Sequence, residues 1–184
     1  MTNNKTRALL LTSLFAALAA IGAFLRIPVG ESSFTLQVLF TCMAGVLLGP
    51  KYGALSQLVY VLLGLIGLPV FTAGGGFGYV FHPNFGFLLG MIPMAFIIGL
   101  LTRKDASPLR IALACACGTA VLYLVGIPYL WLILNVYMGK GMTFAALIGA
   151  YMLPFLLFDA LKIAAAALLC PRILRGLSPV FARA

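Results

Sequence analysis

An all-α integral membrane protein of six transmembrane helices, with N and C termini cytoplasmic, is the fold this sequence predicts. Three observations carry that expectation. Of the 184 residues, 64% are hydrophobic and 8% charged, against about 25% charge in a soluble domain, and mean hydropathy is +1.16. The apolar residues gather in runs long enough to cross about 30 Å of hydrocarbon. Nearly all the basic residues punctuate the ends of those runs. One domain, residues 1–184, is the natural count at this length.

The first helix is expected from about Arg7 to Leu25. Lys5 and Arg7 ahead of an apolar run imitate a signal peptide, but no small-residue cleavage site ends the run and further spans follow. Residues 26–33 read as a loop, with Pro28 and Gly30 as breakers. A second, short helix covers about Thr35 to Leu48 and stops at the turn signal Gly49-Pro50-Lys51-Tyr52-Gly53. The third runs from about Ala54 to Leu68. A glycine-rich interruption, Pro69 to Pro83, precedes a fourth helix from about Asn84 to Leu101. Arg103 to Pro108 form a charged turn. The fifth helix begins near Leu109 and extends toward Tyr137, with Gly126 and Pro128 expected to kink or break it. After Gly139-Lys140-Gly141, the last helix runs from about Thr143 to Leu169.

Six crossings place both termini on one side. That side holds Lys5, Arg7, Lys51, Arg103, Lys104, Arg110, Arg172, Arg175 and Arg183; the other holds Arg26 and Lys140. Nine bases against two satisfies the positive-inside rule, so the termini are read as cytoplasmic. The net charge of +9 is thereby explained by topology rather than by a nucleic-acid-binding patch, which needs a solvated surface.

Catalytic chemistry is poorly supplied. Cys42, Cys115, Cys117 and Cys170 lie in apolar segments, and Cys115 and Cys117 point to different sides of a helix. His82 is the single histidine, so no metal site is expected. A membrane enzyme would need clustered carboxylates or histidines, and the acids are only Glu31, Asp105 and Asp159. Gly74-Gly75-Gly76-Phe77-Gly78 lacks the Lys-Ser/Thr of a phosphate loop. It is either a turn needing positive φ or bare backbone that approaches a ligand.

Asp159 and Lys162 are the charges that stand inside a span. At i and i+3 they share one helix face, and each costs about 2.5–3.5 kcal/mol at mid-membrane on insertion scales. They either form an internal salt bridge that closes a helix contact or face a bound molecule. Gln37, Tyr79 and Asn135 are further candidates, being polar or amphipathic groups near helix ends. In the first helix, Ala16-Ala17-Leu18-Ala19-Ala20 would let another helix approach closely; internal packing and a partner subunit account for it equally.

The chain resembles the BioY family, the biotin-binding S components of energy-coupling-factor (ECF) transporters. The resemblance is essentially full length. It rests on Phe34-Thr35-Leu36-Gln37, Leu47 to Ser56, Gly64 to Phe71, the glycine cluster, Gly86-Phe87-Leu88-Leu89-Gly90 and Pro154 to Lys162. It implies a six-helix fold, high-affinity capture of biotin from outside, and docking on a transmembrane T component with two ATPase subunits. No cofactor is implied, biotin being the transported ligand. The family's binding acid and lysine fall on Asp159 and Lys162, and its T-component contact falls on Ala16 and Ala20. The bacterial cell (plasma) membrane is the implied location.

On that resemblance, Asp159 would accept a ureido N–H of biotin while Lys162 donates to the ureido oxygen. The tail carboxylate would then draw on the backbone of Gly74 to Gly76, on Asn84 or on Arg26; pairing of Lys162 with the carboxylate is the rival pose. Gly75 and Asn84 are therefore counted with the candidate ligand contacts. The alternative function is a self-sufficient secondary transporter for a small polar solute. Such proteins usually carry inverted repeats and a coupling-ion site; no internal repeat is evident, and one intramembrane acid is sparse for ion coupling.

Overall fold

The computed structural model describes residues 4–29 and 32–181, and side chains except those of 4, 28, 29, 32 and 177–181. Glu31 and Arg183 lie outside the described residues. The fold is an α-helical bundle with one small β-hairpin at one end. Its helices are α1 (Asn4–Phe24), α2 (Gln37–Leu65), α3 (Phe85–Thr102), α4 (Pro108–Leu132), α5 (Phe144–Tyr151) and α6 (Leu153–Phe181). Among the described residues, five segments are long and apolar enough to cross a membrane: Lys5–Phe24, Gln37–Leu65, Phe85–Thr102, Pro108–Tyr137 and Leu153–Gly176.

The expected second and third helices are the two halves of α2. Gly49 lies between them with φ 75° and ψ −176°, a backbone conformation that glycine adopts without penalty. Beyond it the chain doubles back. Gln37 donates to the Tyr60 hydroxyl at 2.8 Å, and Thr41 donates to Oε1 of Gln57 at 3.2 Å. Gly53 sits against the backbone of Ala44 and Gly45. Partners that descend on one half while rising on the other define an antiparallel pair. Buried polar groups need such bonds where no water competes, and here they zip the halves together.

Other boundaries differ from expectation for local reasons. The expected loop at residues 26–33 contains strand instead: β1 (Arg26–Val29) pairs antiparallel with β2 (Ser32–Thr35), Ile27 opposite Phe34, and Gly30 lies outside the described residues. The α2 helix ends at Leu65, and Gly67 follows with φ 111°. Pro128 does not break α4; the helix continues to Leu132 and widens into a π-helical turn at Ile133–Tyr137. The last apolar run is two helices. Met152 leaves helical geometry between α5 and α6, two residues ahead of Pro154, which has no N–H with which to continue the ladder.

The core lies between α2, α3 and α4, with α1 and α6 on its flanks; Met94, Ile98, Ile111 and Leu130 are among its fully buried side chains. Ala16 is part of this core at 4% exposure, and Ala20 is half-buried. Both are taken up by packing within the chain, and the small residues that α1 turns outward are Ser13 and Ala17.

Candidate functional site

Five helices, the hairpin and the glycine-rich connection converge on one chamber at the hairpin end of the bundle. The hairpin supplies Ser33 and Thr35, and the glycine-rich connection supplies Thr72 and Tyr79. Helices α2 and α3 contribute Gln37, Asn84 at the start of α3, and Leu88. The wall also includes Leu122 and Tyr123 of α4, then Tyr151, Phe155, Asp159 and Lys162 around the α5–α6 break. Its empty space, open mouth included, is about 640 Å³.

The break before Pro154 is what delivers the last group. It starts a fresh helix two turns ahead of Lys162, so Phe155, Asp159 and Lys162 repeat at intervals of four and three and share a face. Phe34 of the hairpin lies against this helix, its ring 4.2 Å from those of both Phe155 and Phe158.

Asp159 and Lys162 are buried, at 4% and 9% exposure, yet both line the chamber. Lys162 Nζ is 2.8 Å from Asp159 Oδ1, and the Tyr123 hydroxyl donates to Oδ2 at 2.6 Å. The pair is neutral as a unit and presents a donor and an acceptor side by side. The expected ion pair is formed, and both of its side chains line the chamber.

Gln37 and Tyr79 also face the chamber, each held by a second bond. Gln37 accepts from Thr35 at 3.1 Å while donating to Tyr60. Tyr79 shares a 2.8 Å hydrogen bond with Thr72 and stacks on His82, ring centroids 4.6 Å apart. The Asn84 backbone N–H donates to His82 Nδ1 at 3.2 Å, which leaves its side chain on the chamber wall.

Two candidates sit elsewhere. Asn135 is engaged with the chain itself: its amide donates to the Met142 carbonyl at 2.8 Å and accepts from the Met142 N–H at 2.6 Å, closing the loop after the π-helical turn. Gly75 is not a chamber residue; it is pressed against the Leu68 carbonyl, where a side chain would overlap backbone. Arg26 reaches the Thr72 carbonyl and so ties the hairpin to the glycine-rich connection. Tyr123 went unrecognised in the sequence, because a tyrosine in an apolar run reads as an interfacial anchor and its partner lies 36 residues away.

A profile of the BioY family matches residues 1–179. The chain belongs to the BioY family. It is 43% identical over 141 residues to the protein named "probable biotin transporter BioY" of Lysinibacillus sphaericus, covering 76% of this chain and 72% of that one. It is 38% identical over 168 residues to "biotin transporter BioY" of Thermotoga maritima, covering 91% and 95%. The crystal structure of an S component for biotin from an ECF-type ABC transporter superimposes with a TM-score of 0.82 at 28% identity, over 95% of each chain. These relatives are named as transport proteins, and this chain shares the S-component fold of that crystal structure.

Proposed function

We propose that this BioY protein is the substrate-capture S subunit of an ECF-type transporter, binding biotin from outside for uptake driven by partner ATPases. The observation that carries the reading is the Asp159–Lys162 pair: two opposite charges inside an apolar helix that open onto a chamber rather than onto packed side chains. A cyclic urea is their chemical complement, since it offers an N–H donor beside a carbonyl acceptor. Asp159 accepts the ureido N–H and Lys162 donates to the ureido oxygen, in charge-assisted bonds roughly twice as strong as neutral ones. Asn84 and Gln37 lie on the same wall, and the apolar faces of Leu88, Leu122 and Phe155 suit an alkyl tail.

Counting the two antiparallel halves of α2 separately gives six crossings, an even number that brings both termini to one side. The turn at Gly49, with Lys51 beside it, then joins Arg103, Lys104 and Arg172 on that side, and the positive-inside rule makes it cytoplasmic. The chamber then opens outward from a bacterial plasma membrane. A T component and two ATPase subunits complete the transporter, the exposed Ser13 and Ala17 of α1 offering a close-packing surface.

Equilibrium titration of the purified protein with biotin, without ATP or partners, tests this directly. Tight saturable binding with no turnover is expected. Absence of binding would overturn the reading, and ion-coupled biotin accumulation by the lone protein in sealed vesicles would replace it with a secondary transporter.

A further inference from the structure

The glycine-rich connection is bare, exposed over much of its length, and yet must hold Thr72 and Tyr79 at the chamber wall. One side chain fixes it. Phe71 is 1% exposed, although it belongs to a connection and its neighbours in sequence are largely accessible. Its ring occupies the space beside Gly64 of α2, where even a methyl group would overlap the distal ring atoms. Tyr60, one helical turn earlier, meets the ring edge-on at 5.6 Å and 84°. On its other side the ring packs against Tyr79 at 4.6 Å.

Backbone bonds fasten the same spot. The Tyr60 hydroxyl donates to the Val70 carbonyl at 3.0 Å, and the Gly76 N–H donates to the Gly64 carbonyl at 2.7 Å. Phe71 and Gly74 exchange N–H···O bonds across a tight turn, at 2.9 and 3.3 Å. Thr72 follows Phe71 directly, its hydroxyl bonded to Tyr79 and its carbonyl receiving Arg26 of the hairpin. Both flaps over the chamber therefore hang from the Phe71 ring.

We infer that Phe71, seated in a socket formed by Gly64 and Tyr60, is the positioning residue that sets the bound-state geometry of the chamber without touching the ligand. This rests on the biotin-capture reading. The energetic logic is preorganisation: a wall fixed before binding spares the ligand the entropy of ordering it. A loosened socket lets the wall reopen, so the loss falls on the dissociation rate more than on association.

The test is a size-exchange pair measured by biotin association and dissociation kinetics on the purified protein, with the apo melting temperature recorded alongside. Gly64→Ala pushes the ring out and is expected to raise the biotin off-rate roughly tenfold or more. Phe71→Leu removes the distal ring atoms and loosens the wall, with a similar increase. The combined variant G64A/F71L puts the new methyl where those atoms were, and is expected to recover an off-rate within about threefold of the parent.

Parent-like off-rates in both single variants would overturn the inference. So would single-variant defects that simply multiply in the double variant, because those report general damage rather than a fitted socket. Should Gly64→Ala not fold, F71L against G64A/F71L still decides: recovery supports the socket, and no recovery rejects it. Failure of the unmodified protein to bind biotin at all would instead remove the capture reading.

Discussion

The hydroxyl of Tyr123 donates to Oδ2 of Asp159 at 2.6 Å, on the carboxylate oxygen that Lys162 does not use. Asp159 is thus held from both sides, by α4 through Tyr123 and by its own helix through Lys162. A carboxylate with both oxygens occupied keeps one orientation, and Asp159 lines the chamber in it. The cost of ordering it is met in folding rather than at binding.

Tyr123→Phe keeps the ring and removes that restraint. A hydrogen bond to a charged group contributes about 1.5–3 kcal/mol, so biotin affinity is expected to fall roughly tenfold or somewhat more. Isothermal titration of the purified variant checks it. An unchanged dissociation constant would show that Lys162 alone orients the acid.

Asp159→Asn and the double variant D159N/K162Q separate stability from binding. Neutralising the acid alone leaves Lys162 buried without a counter-charge, a defect that typically costs about 3–5 kcal/mol. Replacing both partners with neutral amides removes the unpaired charge. The single variant is expected to melt early, and the double variant to regain most of that loss. Neither should bind biotin measurably, since the charge-assisted pair is gone from both. Retained biotin binding by the double variant would show that the pair serves the fold alone.

Much of the chamber was legible in the sequence because the membrane makes polarity conspicuous. Asp159 and Lys162 stand out in an apolar run, and Gln37 and Asn84 stand out at helix ends; all four line one chamber. What the sequence hid depends on tertiary partners. Tyr123 is an unremarkable aromatic until α6 packs on α4, and Phe71 is one more apolar residue until Gly64 is seen beneath it. Asn135 and Gly75 stand off the chamber lining for a related reason: asparagine and glycine suit both ligand contacts and backbone closure, and composition does not separate the two. Ala16 shows the same ambiguity, its small side chain serving the chain's own core. The division of the last apolar run into α5 and α6 was signalled by Pro154, but an uninterrupted hydropathy masked it.

Asn135→Ala should therefore act on stability and not on biotin. Its amide satisfies both the N–H and the carbonyl of Met142, and leaving such groups unpaired costs about 1–3 kcal/mol. A lowered melting temperature with an unaltered biotin dissociation constant is the expected result. A large loss of affinity at unchanged stability would return Asn135 to the ligand site.

The glycine cluster offers an internal control, because its members meet different surroundings. Gly75 abuts the Leu68 carbonyl, so a Cβ there must displace backbone; Gly78 has open space where its Cβ would stand and no positive φ. Gly75→Ala is expected to weaken biotin binding by shifting the connection that carries Thr72 and Tyr79, at a cost of about 1–3 kcal/mol typical of overpacking. Gly78→Ala should leave the free energies of both binding and folding within about 0.5 kcal/mol of the parent. Equal effects of the two substitutions would mean that chain flexibility, rather than the close approach at Gly75, is what the glycines provide.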